Sequence, residues 1–309
     1  MTPVFKIEAN GEDVTAALQD NMSSISFRDE DGNQSDEITI IVTGDFKRPQ
    51  YKDELKLWFG YEEHPLFYCG VFLVQTSERN LSGLTITATG ADFSESLKQK
   101  RDLSYEKLSL KNIAQMVATR HGLKLKSDFD DMDLAHLSQT SESDLHLMKR
   151  LADEYNGLFS IKNNTLILVK RIKDAKKSED IPVFEIDAKE CSSLSIKHAN
   201  KMVYNSCTAA WHDTKENAVK SITVGSGDPI LKLNGQFKTA AEAKAKAEAK
   251  LERASRGTKS GSISTYGKEI YAGSTLKLTG ADEDDGEYSI KSISHSYGNG
   301  WRMNIEIEN

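Results

Sequence analysis

The sequence predicts an α+β, β-rich chain in which two related β units flank a small α+β domain. Three observations predict it. Short β-branched or alternating runs fill the region from Phe5 to about Ser96 and return from Gly261 onward. Between Leu103 and Val169 the apolar period changes to helical. The two β regions also share one word order. In the first, Leu55-Lys56-Leu57 leads through an acidic turn (Glu62-Glu63) and Gly70 to the apolar strand Val71 to Val74, then Gly83 and the alternating strand Leu84 to Thr89. In the second, Leu276-Lys277-Leu278 leads through Asp282 to Asp285 and Gly286 to Tyr288 to Ile293, then Gly300 and Trp301 to Ile307. Two such units per chain suggest that three chains close a ring of six similar positions, which points to assembly rather than catalysis.

Taken in order, Ser24 to Phe27, Glu37 to Val42, Glu54 to Phe59, Val71 to Thr76 and Leu84 to Thr89 read as strands, separated by turn residues such as Asp31-Gly32-Asn33. Leu55, Leu57 and Phe59 share one face, which leaves Trp58 on the other. The spacing of Leu110, Ile113, Ala114 and Val117, with Gly122 as a stop, predicts a helix from Ser109 to His121. Ser141-Glu142-Ser143-Asp144 reads as a capping box opening a second helix that ends at Gly157. Leu158 to Ile161 and Thr165 to Val169 flank Asn163-Asn164, two residues that tolerate positive φ, and read as a tight hairpin. The charged stretch from Lys170 to Asp180 before Pro182 is the clearest boundary. Strands resume at Ser193 to Lys197, Asn205 to Trp211 and Ser221 to Val224. Thr239-Ala240-Ala241-Glu242 then caps a helix whose thin stripe (Ala240, Ala243, Ala247, Leu251, Ala254) suits either close packing or a solvated surface. The expected divisions are 1–98, 99–172, a linker at 173–182, and 183–309.

A chain of 309 residues with 38% hydrophobic content can bury real cores. The net charge of -7 disfavours a protein that grips phosphates, so specific nucleic-acid binding is not expected. No apolar run suits a membrane span, and Met1 to Asn10 lacks the pattern of a secretory signal. Membrane insertion by this chain is not expected, and cytosolic folding is. Three widely spaced cysteines, Cys69, Cys191 and Cys207, read as free thiols.

The chain resembles the phage late control D, or baseplate hub, proteins of contractile tails. The resemblance rests on Ser24-Ile25-Ser26-Phe27-Arg28-Asp29 leading to Ser35-Asp36-Glu37-Ile38, on Glu54-Leu55-Lys56-Leu57-Trp58-Phe59-Gly60-Tyr61, and on Gly90-Ala91-Asp92-Phe93-Ser94-Glu95-Ser96-Leu97-Lys98. It continues through Ile113-Ala114, Arg120-His121-Gly122-Leu123, Gln139-Thr140-Ser141-Glu142-Ser143-Asp144-Leu145, Gly286-Glu287-Tyr288 and His295. It implies a homotrimeric structural hub with two tube-like β-barrel domains per chain, forming a pseudo-sixfold ring that joins a sixfold tail tube protein to a threefold spike protein. Tape-measure and other baseplate proteins are further implied partners. The implied place is the virion tail baseplate, assembled in the host cytoplasm. With no β-helical extension after the second β unit, a separate spike is expected, and no cofactor.

Several residue groups invite a chemical reading. His64 with Cys69, and Cys191 with His198, offer metal ligands or a Cys–His pair, but neither set shows the convergence that zinc or a thiolate nucleophile needs. Asp29-Glu30-Asp31-Gly32 and Asp282-Glu283-Asp284-Asp285-Gly286 resemble fragments of a calcium loop but lack its closing Glu, Ile38 and Ser292 standing there instead, and read as acidic hairpin turns. Leu108 to Leu123 resembles the first helix of a peptidoglycan-binding LysM module, although the domain continues differently. A cell-wall hydrolase using Glu142 or Asp144, or a cell-wall-binding module, is therefore the alternative, with both acids already explained as helix-cap groups. Trp58 is the one residue expected at an interface, against the plainer expectation that it packs within its own chain.

Overall fold

Alternation along the first ninety residues builds β1 (Pro3–Ala9), β2 (Glu12–Asp13), the short helix α1 (Thr15–Gln19), β3 (Met22–Glu30), β4 (Glu37–Val42), β5 (Glu54–Tyr61), β6 (Phe67–Asn80) and β7 (Gly83–Thr89). The computed structural model describes residues 1–32, 35–44, 46–81, 83–90, 95–129, 133–171, 182–200, 202–213 and 216–309. The expected linker at 173–182, Pro182 apart, lies outside the described residues, as do Asn33 and the Ala91-Asp92-Phe93-Ser94 part of the family motif. The inward residues of this first unit, among them Ile25, Ile38, Leu57, Phe59 and Phe72, are fully buried in one apolar cluster.

The middle region holds α2 (Glu95–Lys98), β8 (Lys100–Ser109), α3 (Leu110–Arg120), β9 (Lys124–Ser127), β10 (Asp133–Ser143), α4 (Asp144–Glu154), β11 (Gly157–Lys162) and β12 (Thr165–Lys170). Ser109 caps α3 by accepting the Asn112 N–H at 3.2 Å, and Leu110, Ile113, Ala114, Val117 and Ala118 form its buried face. The α4 cap is Ser143, which accepts the His146 N–H, rather than Ser141. Ser141 stands at φ 48° outside the helix, its N–H donating to Asp102, so the Ser-x-x-Asp spacing is met without forming a capping box. Asn163 and Asn164 adopt φ 48° and 58°, the left-handed pair that a tight hairpin turn between β11 and β12 demands. Strands β8 and β10, which the periodicity did not reveal, form an antiparallel pair with largely polar outward residues.

The last region holds β13 (Val183–Asp187), β14 (Ser193–His198), β15 (Ser206–Asp213), β16 (Ala218–Gly225), β17 (Ile230–Phe237), α5 (Ala240–Ser255), β18 (Lys259–Tyr266), β19 (Thr275–Thr279), β20 (Gly286–Gly298) and β21 (Gly300–Glu308). Thr239 caps α5 through the Glu242 N–H. Ala243 and Ala247 are buried against the small sheet β16-β15-β17, so the alanine stripe serves close packing.

The first unit runs β3-β4-β7-β6-β5-β1 across its sheet, and the last runs β14-β18-β21-β20-β19-β13. Numbered by appearance, the six principal strands of each unit follow the same spatial order, 2-3-6-5-4-1. Even the register shifts coincide, between Val74 and Thr76 in β6 and between Ile290 and Ser292 in β20. The units differ at their first strand, which is antiparallel to its neighbour in one (β1 and β5) and parallel in the other (β13 and β19). The second unit also carries β15, β16, β17 and α5 as an insertion. Among the described residues neither unit closes into a barrel by hydrogen bonds. Instead β20 pairs with β3 and welds the two into one 13-stranded sheet.

Gly32 follows β3 at φ +115°, with its missing Cβ directed at the Phe159 carbonyl oxygen, 1.8 Å from where that carbon would lie. Gly32→Ala is expected to cost about 2–4 kcal/mol, read as a lowered denaturation midpoint at unchanged m-value.

Candidate functional site

The end of β3 brings Asp29, Glu30 and Asp31 to the place where the three regions meet, and all three are buried. Lys162, at the end of β11, pairs with Asp29 and lies 3.2 Å from Asp36. The other Asp29 oxygen accepts the Ala272 N–H at 2.7 Å, from the loop before β19. Asp36 accepts the Glu30 N–H at 2.9 Å, and Arg171 reaches Asp31 at 2.7 Å. The acidic run expected to be a hairpin turn is thus an ionic junction between the first unit, the middle region and the second unit. Two carboxylates face one ammonium. Burial, reinforced by the Asp29 charge, pushes Asp36 up to about 7 against the pull of Lys162. Burial opposes the charge on Lys162, but the two carboxylates outweigh it and raise its pKa.

Beside this junction His295 of β20 stacks on Phe27 at 5.4 Å. The Trp301 indole N–H donates to its Nδ1 at 3.2 Å, so the ring proton resides on Nε2, which has no hydrogen-bond partner. Burial pushes His295 down to about 4, and the imidazole is neutral near pH 7.

A second buried carboxylate, Asp144, opens α4. It accepts hydrogen bonds from Arg120 at 2.7 and 2.8 Å and from Gln139 at 2.9 Å, and His121 Nε2 lies 2.8 Å from it. Arg101 adds an ion pair at 3.2 Å. Burial alone would raise its pKa, but the bonds from Arg120, Gln139 and His121 prevail and hold it below the usual carboxylate range. Glu142, expected as its catalytic companion in the hydrolase alternative, is held low first by the bond from Arg150 and is also paired with His146. Both carboxylate oxygens of Asp144 and of Glu142 therefore already have side-chain partners within this chain.

The remaining candidates separate. His64 donates its N–H to Tyr61, whereas the Cys69 thiol turns to the Phe67 carbonyl at 3.8 Å and is pushed up by burial. Cys191 turns to the Asp187 carbonyl at 3.5 Å, while His198 pairs with Asp284 at 2.6 Å. Asp284 also receives Lys259 at 3.0 Å, and the acidic turn from Asp282 to Asp285 is an internally anchored hairpin link. Among the described residues no three His, Cys, Asp or Glu side chains are placed to hold a metal. Trp58 is partly buried on the opposite face to Leu57 and Phe59, its ring 5.0 Å from Tyr68 with the Lys6 ammonium 4.9 Å above it. Its immediate partners come from the neighbouring strands β1 and β6.

The sequence did not expose the junction, because Lys162 and Asp29 are far apart in the chain and an Asp-Glu-Asp-Gly run looks the same buried or solvated. The available signal was Ser35-Asp36 in the family motif, which places a second acid beside the first.

A model of the phage tail baseplate hub (GPD) family matches residues 76–301. The probable baseplate hub protein of Escherichia phage P2 is 24% identical over 361 aligned positions, spanning 100% of this chain and 93% of the phage protein. The 43 kDa tail protein of prophage MuSo2 from Shewanella oneidensis shares the fold, with a TM-score of 0.71 and 15% identity over 99% of this chain and 98% of its own. So does the Escherichia coli c3393 protein, a component of the type VI secretion system, with a TM-score of 0.54 and 11% identity over 93% of this chain and 73% of its own.

Removing the ammonium should be severe. Lys162→Met leaves two buried carboxylates without a cation and is expected to cost about 3–5 kcal/mol in chemical denaturation, with much of the loss recovered when Asp29→Asn and Asp36→Asn are added. Opposite pH slopes are expected from Asp36 and His295. Asp36 has a folded pKa above its unfolded value, so its contribution is present below pH 4 and is lost as pH rises toward 7. His295 has a folded pKa below its unfolded value, so the folded state gains stability as pH rises from about 4 to 6.5. Relative to wild type, Asp36→Asn should remove a falling slope and His295→Phe a rising one, each at most about 1.4 kcal/mol per pH unit.

Proposed function

From the premise that this chain belongs to the phage tail baseplate hub family, we propose that it works as a homotrimer whose two β units occupy alternate places in a pseudo-sixfold ring. The chain is a structural hub component of a tail or injection particle and a part of the virion tail baseplate. The observation that carries the ring reading is the shared 2-3-6-5-4-1 strand order of the two units and their weld through β3 and β20. Three chains of this kind offer six equivalent sheet segments to a sixfold tube on one side and three complete chains to a threefold spike on the other. On this reading each unit is one wall segment of a tube-like barrel, and the wall is completed only when neighbouring units are in place. The division at 1–98, 99–172 and 183–309 is part of the same proposal, as are the tube protein, spike protein, tape-measure and other baseplate partners and assembly in the host cytoplasm. Trp58, with its cation-bearing neighbour Lys6 on an outer face, is proposed as a contact for one of these partners.

The role is proposed to be non-catalytic. What favours this over a peptidoglycan hydrolase is the saturation of Asp144 by Arg120, Arg101, His121 and Gln139. Zymography on peptidoglycan is expected to show no clearing by the purified chain. Clearing that disappears in Asp144→Asn while the fold survives would reverse the assignment.

Cryo-electron microscopy of the particle tests the ring directly. The expected density has three copies of this chain, with units one and two superposing after a rotation of about one sixth of a turn. Six copies, or end units that do not alternate around the axis, would be incompatible with it.

A further inference from the structure

Inside one chain, β20 of the second unit is bonded to β3 of the first. The duplication sets out the same contact a second time, with neither half paired to a strand among the described residues. In the first unit β6 takes the place that β20 holds in the second, and in the second unit β14 takes the place that β3 holds in the first. The ladders align the residues. Leu73 faces Glu54 and Thr89 as Ser289 faces Thr275 and Glu308, and the register shift follows at the same step in each strand. Thr76 to Asn80 therefore correspond to Ser292 to Ser296. On the other side, Glu37 pairs with Thr89 and Arg28, as Ser260 pairs with Glu308 and Lys197. Lys197 therefore corresponds to Arg28.

Within the weld, Ser294 lies opposite Arg28, His295 opposite Phe27 and Tyr297 opposite Ile25. Transferred by these correspondences, the pairs become Glu78 opposite Lys197, Arg79 opposite Ile196 and Leu81 opposite Leu194. An acid meets a base, and the stem of an arginine and a leucine meet the half-buried apolar residues of β14. Glu78 and Lys197 are both exposed, and the Leu81 side chain stands clear of its own chain at 108% exposure. Among the described residues β14 is the last strand of the sheet, and the Thr76–Asn80 stretch has a strand, β7, on one side only. Its other side is touched by the Arg48 guanidinium, which donates to the Ser77 carbonyl at 2.8 Å. Edges of this kind, with a neighbouring strand on one side only, are templates for a further strand.

We infer that the Thr76–Leu81 edge of one copy takes β14 of a second copy as an antiparallel strand, with Glu78 opposite Lys197 and Arg48 displaced from Ser77. The partner is another copy of this chain, and the contact repeats between chains the weld already made within one. This rests on the ring reading above and names the strands that close the ring.

Directly opposed residues of an antiparallel ladder bring their Cα atoms to about 4.5–5.5 Å, within reach of a disulfide. The test uses tail particles assembled with the full chain carrying Glu78→Cys and Lys197→Cys, mildly oxidised and run on a non-reducing gel. Each single variant and the parent with Cys69, Cys191 and Cys207 run alongside. The expected result is a ladder of covalent dimers and trimers in the double variant alone. An equal yield from the out-of-register pair Glu78→Cys and Ser195→Cys, or no ladder, would overturn the inference. If such particles still show a three-copy ring by cryo-electron microscopy, the strand assignment fails and the hub reading stands. If the ring itself is absent from wild-type particles, the ring reading fails with it. Independently, Glu78→Lys is expected to cut particle yield at least tenfold and Lys197→Glu added to it to restore most of it. Failure of that restoration in a chain that still folds counts against the inference.

Discussion

One ammonium group holds the three regions of this chain in a common frame. Lys162 belongs to the middle region, Asp29 and Asp36 to the first β unit, and the Ala272 N–H that shares Asp29 belongs to the second. Burying two carboxylates and a lysine is expensive, and only their mutual arrangement offsets it, so the arrangement tolerates few alternatives. A purely apolar contact among three bodies can slide. A charged triad with one backbone donor aimed at it cannot slide without leaving a bare charge in a dry place, and the close approach of Gly32 to Phe159 removes the remaining room.

The same economy appears in the apolar packing. The core of the first unit is completed by Trp301 of the second, with Tyr297 against its edge and His295 stacked beside it. Phe59 lies 5.8 Å from Trp301 and 6.1 Å from Tyr297, and the Tyr297 hydroxyl donates to the Pro3 carbonyl at 2.9 Å. The last hairpin of the chain is therefore structural material for its beginning. The two units are therefore joined by a shared core and a continuous ladder rather than by a flexible hinge.

Much of this was legible in the amino acids. The repeated order of Leu55/Leu57, Gly70 and Gly83 against Leu276/Leu278, Gly286 and Gly300 reflects real strand equivalence, since turn glycines and period-two alternation are local properties. Helix α3 and the Asn163-Asn164 hairpin were legible for the same reason. What escaped was non-local. Strands β8 and β10 offer few apolar residues, and only their pairing with one another makes them strands. Asp144 looked like a helix-cap acid, and nothing near it in the chain announces that Arg101 and Arg120 converge on it. Barrel closure was expected from family resemblance, and among the described residues of a single chain the sheet remains open. The sheet that joins β3 to β20 cannot be read from either strand alone.

The insertion of β15, β16, β17 and α5 into the second unit alone has a consequence for symmetry. In the ring proposed above all six wall segments share a strand order, yet only alternate ones carry this extra lobe, which is anchored to the middle region through Lys246 and Glu154 at 2.9 Å. In that ring a partner touching the shared strands would meet six similar surfaces, and one touching the lobe would meet three. On the proposed ring, one polypeptide would present its common strand order six times and this lobe three times, so neighbours of different symmetry could be matched by which of the two each one touches.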